Sequence, residues 1–537
     1  MTFPSTASTG PETTELSMDD DFGTIGELIR MHAQRAPERL ALVDGSDSSQ
    51  AIDYRELDHR MDDVAAALHE SGLALGDRIA ICGRSSVPYA LVFLGALRAG
   101  VVVVPLAPSS TPQQLARMLS DSGARLFFVD DSVADLVSEI PQGRAQRIAL
   151  DESKIGASFS RWTSSISVPA RPATIEADSG FNIIYSSGTT GEPKGIVQSH
   201  GMRWTHMQRG RSSGYTGESV SVLATPLYSN TTLVVFFPTL AFGGTVVLLN
   251  KFSVPVYLSL CQSFRATHTM LVPVQYRRLM ASDLFDAHDL SAFVIKFSTS
   301  APFSAALKAD VLRRWPGGLI EYYGMTEGGG TCILEAHLHP DKLHTVGQPA
   351  SGSDIRLIDE NGRECAPGET GEVVGSSGGM MTGYFGQSEK TRSVEWFDAS
   401  GKRFIRTGDV GRFDSDGFLV LMDRKKDMII SGGFNIYPSD LEEVLCSHPA
   451  VLEAAVVALP SEEWGESPGA FVVWRKGHEE LSTEDLRAWV NARVGKTQRI
   501  VSVNRMDELP RSAIGKVLKR ELRESSATSR GSSASVA

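Results

Sequence analysis

The chain has little from which a disulfide framework, a zinc ribbon or a membrane span could be built. Its 537 residues include five cysteines (Cys82, Cys261, Cys332, Cys365 and Cys446), an odd and scattered set with no C-x-x-C pair. No disulfide framework, zinc ribbon or redox dithiol is expected, and the simplest reading is reduced thiols in the cytoplasm. Basic charge is also short. Lys and Arg number 52 against 64 Asp and Glu, a formal net charge of −12, which argues against a nonspecific nucleic-acid binder. The first ten residues, MTFPSTASTG, hold neither a basic nor an apolar run, so no signal peptide is expected. The most apolar segment, Leu233 to Leu249, is broken by Pro238 and by Gly243-Gly244. It reads as helix, turn and strand, not as a span, which needs about 20 uninterrupted apolar residues. Internal repeats and coiled-coil heptads are missing as well.

What is present is an ordinary globular composition, 42% hydrophobic, in a chain long enough for about two to four domains. Apolar residues recur at helical spacing over Tyr54 to Ser71, and Tyr89 to Ala99 reads as a second helix. Between and after them stand all-apolar strand signatures: Asp77 to Cys82, Val101 to Val104 ending at Pro105, Leu126 to Val129 and Thr245 to Leu249. Such runs separated by helices predict parallel sheets covered on both faces, an α/β fold. Near 350–422 the texture changes to short strands between Gly/Asp turns, such as Asp359-Glu-Asn-Gly362. That predicts an antiparallel sheet or small barrel. A charged knot, Asp423-Arg-Lys-Lys-Asp427, precedes a shorter α+β pattern. The expected organisation is a disordered tail over 1–20, a large domain over 21–425, a small domain over 426–524 and a disordered tail over 525–537.

Four segments carry chemistry. Tyr185-Ser-Ser-Gly-Thr-Thr-Gly-Glu-Pro-Lys-Gly195 is too polar and glycine-rich to pack a core, and it follows the apolar run Phe181 to Ile184. Open backbone, hydroxyls and Lys194 suit an anion, although a flexible surface turn has the same composition. It is not the G-x-x-x-x-G-K-[ST] loop, because Gly195 follows Lys194. Glu321-Tyr-Tyr-Gly-Met-Thr-Glu-Gly-Gly-Gly330 joins two rings, a hydroxyl and a carboxylate to open backbone. Rings suit a nucleobase, and a lone carboxylate near phosphates suits Mg²⁺. Arg406-Thr-Gly-Asp409 offers one carboxylate to a diol, or else forms an Asx turn. Leu509-Pro-Arg-Ser-Ala-Ile-Gly-Lys516 ends in a lysine that is either functional or part of a solvated basic face.

In this order and spacing the segments resemble the adenylate-forming superfamily of acyl-CoA synthetases, adenylation domains and luciferases, over about residues 24–522. Further matches are GETGEVV at 368–374 and DRKKDMIISGGFNIYP at 423–438. The resemblance implies ATP-dependent activation of a small carboxylic acid to acyl-AMP with release of pyrophosphate, then transfer of the acyl group to the thiol of CoA. It implies that Ser186, Ser187, Gly188, Thr189, Thr190, Gly191 and Lys194 grip phosphates. Ser300, Tyr322, Tyr323 and Gly324 would surround the adenylate, Thr326 would meet the α-phosphate, and Glu327 would hold Mg²⁺. Asp409, assisted by Arg424, would bind the ribose, and Lys516 would act as a fixed cation on the transition state. The small domain would be mobile about Lys426, with Gly432 and Gly433 leaving room for a pantetheine arm.

The sequence departs from this family in its candidate acid pocket. Ser229 stands where relatives often carry His, and Tyr228-Ser-Asn230 lacks the Asp used by relatives that bind α-amino acids. An unpaired buried ammonium is costly, so an α-amino acid substrate is not expected. Tyr322 would fill the pocket floor, which favours a compact, cyclic or aromatic acid over a long unbent chain. Glu321 replaces a frequent amide, and Gln498 a frequent Pro. The expected function is an acid:CoA ligase. The alternatives are an amide-forming ligase with an amine acceptor, loading of a separate carrier protein, and an idle scaffold or ligand sensor.

Overall fold

The computed structural model describes residues 16–525, apart from 48, 142, 144, 167–168, 188–192, 432–433, 462–463, 479 and 513–514. The chain forms two compact units: residues up to Thr269 with Thr382–Phe385, and Met270–Met381 with the chain from Gly386 onward. The fold is mixed α/β with parallel sheets, as the all-apolar strands require.

In the first unit an eight-stranded sheet runs in the order Gly383–Tyr384, Pro193–Ser199, Gly180–Ser187, Val102–Leu106, Arg78–Cys82, Leu126–Val129, Gln146–Ala149, Ala157–Ser158. From Gly180–Ser187 onward the neighbours are parallel. The Val102–Leu106 strand continues through Pro105, paired with Ile81, one residue further than the sequence suggests. A second parallel group joins Val220–Leu223, Thr245–Leu248 and Leu40–Asp44. Helix Tyr54–Glu70 is started by the Asp53 carboxylate, which accepts from the Glu56 amide. It packs on helix Val87–Arg98 at Gly95, where a Cβ would press into Val64. The apolar segment around Pro238 is helix Asn230–Ala241, a turn with Gly243 at φ +80°, and strand Thr245–Leu248. Among the described residues no helix is long and apolar enough to cross a membrane.

In the second unit, Ile295–Ser298 and Gly318–Tyr323 pair in parallel, and Cys332–Glu335 closes antiparallel. Residues 353–424 form the expected antiparallel sheet, in the order Ser353–Ile358, Gly371–Ser377, Arg403–Phe413, Glu395–Phe397, with Leu419–Arg424 also on Arg403–Phe413. Beyond the charged knot, Val451–Ser461 and Gly465–Trp474 make a long hairpin, and Ser502–Met506 joins it in parallel. Alternation along these strands builds two cores. Val456, Ala470 and Val472 face the helices Pro438–Cys446 and Thr483–Asn491 through Leu441, Leu445, Leu486 and Val490. Val457, Leu459 and Phe471 face Leu509 and Leu522, which anchors the chain on both sides of Lys516. The boundary read from sequence at 425/426 thus lies within this second unit. Residues 18–20, assigned above to the N-terminal tail, are bonded to helix His200–Gln208: Trp204 Nε1 and Gln208 Nε2 donate to the Asp20 carbonyl, and Gln208 also donates to that of Met18.

Candidate functional site

In the first unit two strands flank the Gly/Ser/Thr segment. Gly180–Ser187 pairs antiparallel with Pro193–Ser199, with Tyr185 opposite Gly195 and Ser186 opposite Lys194. Gly188, Thr189, Thr190 and Gly191 lie outside the described residues. Lys194 Nζ stands 5.1 Å from the centre of the Tyr384 ring, a contact with the next strand of the same sheet. The candidate acid-pocket segment leads into helix Asn230–Ala241. Ser229, placed above where relatives carry His, caps helix Asn230–Ala241, its hydroxyl accepting from the Thr231 amide at 3.3 Å. Ser immediately before an apolar helical run is an N-cap signature readable from sequence. Beside it, Asn230 Oδ1 is buried with no hydrogen-bond partner among the described residues. Burial pushes the Tyr228 phenol up to about 12, Ser109 opposing through a hydrogen bond. A separate cleft of about 560 Å³ in this unit, lined by Arg84, Asp130 and Asn250 among others, contains none of the residues singled out from sequence.

In the second unit the structure brings several of the predicted residues together. Gly318–Tyr323 delivers its side chains alternately to opposite faces. The Tyr322 ring stacks on Phe297, centroids 5.7 Å apart and planes at 21°, and Thr299 Oγ1 donates to its carbonyl at 2.8 Å. Glu321 points the other way, buried against the Lys308 ammonium. Lys308 Nζ also donates to the carbonyls of Leu343 (2.8 Å) and Thr345 (3.0 Å). Burial pushes the Glu321 carboxyl up to about 7, with Lys308 pulling it back. This departure from the family is therefore a packing feature behind the strand and not a pocket wall. At the end of the neighbouring strand Ser300 is held at φ +79°. For a residue with a Cβ that backbone costs about 1–3 kcal/mol, and such strain clusters at functional sites.

Tyr323, Asp409 and Arg424 form one group joined by a hydrogen bond and an ion pair. The buried Tyr323 hydroxyl donates to Asp409 Oδ2 at 2.9 Å, and Arg424 Nε meets Asp409 Oδ1 at 3.0 Å. Asp409 and Arg424 are direct cross-strand partners. Each carboxylate oxygen has two lone pairs, so both retain one for a further donor. The Asx-turn alternative fails here: the Asp409 carboxylate faces Tyr323 and Arg424 across the sheet, not its own following backbone, and its amide donates to Thr407 Oγ1 at 3.0 Å. Burial first, then the Asp409 charge, holds the Tyr323 phenol well above its ordinary range. Thr326 and Glu327 sit on the turn after Tyr323. That turn is fixed by the Met381 amide donating to the Glu327 carbonyl (2.8 Å) and by Ser377 Oγ donating to that of Gly328 (3.1 Å). Its glycines permit contact with the adjoining sheet, since a Cβ on Gly375 would collide with the Gly329 carbonyl.

Lys516 enters the same electrostatic neighbourhood. Burial pushes its ammonium down to about 8; Arg424 and Lys426 add to this, and Asp409 and Asp427 oppose it. It is therefore not part of a solvated basic face. Burial also lowers Lys426, with Arg424 and Arg523 adding and Asp427 opposing. Gly432 and Gly433 lie outside the described residues. Sequence reasoning missed Glu372. Buried, it receives Arg406 Nη2 at 2.5 Å and Lys425 Nζ at 3.2 Å, tying the RTGD segment of strand Arg403–Phe413 to the charged knot. The only hint was that Arg406 and GETGEVV each bring an unassigned charge. Among the described residues no cluster of three or more His, Cys, Asp or Glu is arranged for a metal ion. Glu327 is a single carboxylate on an open turn, and a magnesium ion shared with substrate phosphates needs one or two carboxylates and no protein cage.

Comparison with known proteins gives a consistent result. The chain matches the AMP-binding enzyme family over residues 29–385 and the AMP-binding enzyme C-terminal domain over 440–516. It is 32% identical to a feruloyl-CoA synthase of an Amycolatopsis species over 507 residues, covering 93% of this chain and 98% of the relative. It is 30% identical to the fatty acid–[acyl-carrier-protein] ligase ScoC of Streptomyces coeruleorubidus, covering 93% and 96%. The crystal structure of ATP-bound MatB from Rhodopseudomonas palustris superposes with a TM-score of 0.84 at 29% identity, covering 94% of this chain and 99% of that one.

Proposed function

Because this chain belongs to the AMP-binding enzyme family, as an AMP-forming acid ligase, we propose that it converts a compact, ring-bearing carboxylic acid to its CoA thioester through an acyl-adenylate. The observation that carries the reading is the group Tyr323–Asp409–Arg424 with Lys516 in its field. A carboxylate with two unused lone pairs beside a half-buried ring suits a ribose and its base, and a half-buried ammonium beside it suits developing phosphate charge.

In the first step a carboxylate oxygen of the acid attacks the α-phosphorus of ATP. A carbon–oxygen–phosphorus linkage forms, the bond from the α-phosphorus to the bridging oxygen breaks, and pyrophosphate leaves. Lys516 stabilises the charge that builds on the phosphate, and Thr326 donates to it. Ser186, Ser187, Gly188, Thr189, Thr190, Gly191 and Lys194 take the outer phosphates, and Gly324 lets the chain pass close to the nucleotide. Glu327 would hold a magnesium ion, which when bound would neutralise part of the phosphate charge. In the second step the thiol sulfur attacks the acyl carbon and gives up its proton, the carbon–oxygen bond breaks, and AMP leaves. Lys426 serves as the pivot between steps, with Gly432 and Gly433 beside the pantetheine arm. The cytoplasm, which supplies ATP and CoA, is the proposed location.

For the acid, the Tyr322 ring stacked on Phe297 supports a flat, compact acyl group, in line with the feruloyl-CoA synthase relative. Ser300, Tyr228, Ser229 and Asn230 would contribute to its surroundings. Resemblance to the carrier-protein ligase favours one second reading, thioester formation on a separate acyl-carrier protein. A pyrophosphate-release screen over ferulate, 4-coumarate, benzoate, octanoate and palmitate should give the largest signal with the first three. Mass spectrometry should then find acyl-CoA when CoA is added and acyl-AMP when it is left out. A preference for palmitate would remove the ring-bearing acid. Acyl-AMP that accumulates despite CoA, but is consumed by an acyl-carrier protein or by an added amine, would replace the acceptor. No pyrophosphate with any acid would remove the ligase reading.

A further inference from the structure

The segment that carries Lys516 is fixed through a second set of charges, away from the nucleotide group. Arg511, five residues before Lys516, donates through Nη1 to the Gly515 carbonyl at 2.8 Å and through Nη2 to Glu453 Oε2 at 2.6 Å. Glu453 Oε1 pairs with Nη1 of Arg277, on helix Pro273–Met280. Gly515 rests on the start of that helix: a Cβ there would lie 3.0 Å from Val274 and 3.2 Å from Val272. Gly515 also has φ +77°, so a side chain would meet both steric and backbone strain. Glu453 stands at a register shift of the Val451–Ser461 strand, the kind of irregularity that re-aims a side chain.

A single carboxylate thus holds two guanidinium groups that would otherwise repel, and its side chain is only 14% exposed. Burial, and the charge of Arg511, lower Arg277 from its ordinary range; Arg475 adds and Cys446 opposes. Burial likewise lowers Arg511, with Glu508 opposing. Removing the Glu453 charge therefore turns attraction into repulsion at the base of the Lys516 segment. A line of contacts runs from helix Pro273–Met280 through Arg277, Glu453 and Arg511 to the peptide that precedes Lys516.

We propose that Glu453, clamped between Arg277 and Arg511, is a positioning residue that sets Lys516 for acyl-adenylate formation, and that it matters far less for the transfer step. The inference rests on the role given to Lys516 above. Chemistry separates the two steps, because adenylation breaks a phosphorus–oxygen bond beside the Lys516 charge whereas thioester formation breaks a carbon–oxygen bond of the finished adenylate.

The test uses the full chain with Glu453→Gln, Arg277→Ala and Arg277→Lys, and Lys516→Ala as the control. Pyrophosphate release is measured with the most active acid of the panel, and thioester formation from the synthetic acyl-AMP of that acid. In parallel, amine labelling of Lys516 against pH, read by peptide mass spectrometry, needs no substrate. Glu453→Gln should lower acyl-AMP formation about ten- to hundredfold, the scale of a catalytic group displaced by about an ångström. Arg277→Ala should lower it less, and Arg277→Lys should recover most of it. Transfer should stay near the parent rate, and the labelling midpoint should rise from about 8 toward the ordinary lysine value of about 10.4. Equal loss in both steps with an unchanged midpoint would mean a merely structural residue and overturn the proposal. Unchanged adenylation in Glu453→Gln, with Lys516→Ala inactive, would overturn it and leave the ligase reading intact. Full adenylation by Lys516→Ala would instead remove the role of Lys516.

Discussion

Lys516→Ala is expected to lower acyl-AMP formation by about 10²–10³-fold, the cost of removing one preorganised charge or donor from a developing oxyanion, while slowing transfer from a supplied acyl-AMP much less. The ammonium does this because it is already in place and half-dehydrated, beside Asp409 and Arg424. The same environment sets a pH dependence. The protonated form is the useful one, and burial with Arg424 and Lys426 pushes its pKa down to about 8. In the free enzyme, kcat/KM for ATP in the adenylation step should fall as pH rises through about 8. Bound phosphates favour the cation, so the corresponding limb of kcat should lie at higher pH. Lys516→Arg keeps its charge throughout this range, so whatever activity it retains should lack the limb. Stopped-flow or quench measurement of pyrophosphate between pH 6 and 10 reads both effects. A limb that persists in Lys516→Arg would assign it to another group. Equal loss in both steps for Lys516→Ala would contradict the electrostatic role.

How much of this was legible follows from the range of each interaction. Local signals were read correctly: the all-apolar strands such as Leu126–Val129, the break at Pro238 and Gly243, and the antiparallel texture after residue 350. The four motif segments stood out because each combines unusual backbone freedom with charge, and the family resemblance supplied the roles expected of their residues. Arg406-Thr-Gly-Asp409 could have been an Asx turn by composition alone, and only its cross-strand partner Arg424 and the distant Tyr323 decide otherwise. At Ser229 a local cap signal stood in the sequence beside the pocket reading, and the structure shows the cap. Charge pairing over long separations was not legible. Glu453 is 176 positions from Arg277 and 58 from Arg511, and Glu372 is 34 from Arg406. An exposed-looking Arg or Glu in a sequence carries no mark of such a partner. Glu321 was noticed as a departure, yet its partner Lys308 lies on the helix Ala305–Arg314 behind the strand, where no periodicity links the two.

Asp409→Ala should act on different ground from Lys516→Ala. Two hydroxyls donating to an ionised carboxylate are each worth about 1.5–3 kcal/mol. Losing both, after water fills part of the gap, should raise KM for ATP roughly a hundredfold, about 3 kcal/mol. The remaining structure would be disturbed little at the backbone, because the 409 amide still donates to Thr407 Oγ1. Arg424 and the buried Tyr323 hydroxyl would lose their acceptor. Asp409→Asn keeps the shape and one acceptor but not the charge, so it should fall between parent and Ala. The ribose is present in ATP and in acyl-AMP alike, and interactions made equally in ground and transition states change KM and not kcat. Asp409→Ala should therefore weaken binding of ATP and of supplied acyl-AMP to similar degrees, with kcat of either step changed much less. Lys516→Ala should show the reverse pattern, a loss of kcat confined to adenylation. Titration of both variants with ATP and with acyl-AMP, each step followed separately, separates a ribose cradle from a charge that acts on the reacting phosphate. If Asp409→Ala left both KM values unchanged and lowered only the adenylation kcat, the carboxylate would belong to the reacting centre, and Tyr323 and Arg424 would have to be reassigned with it.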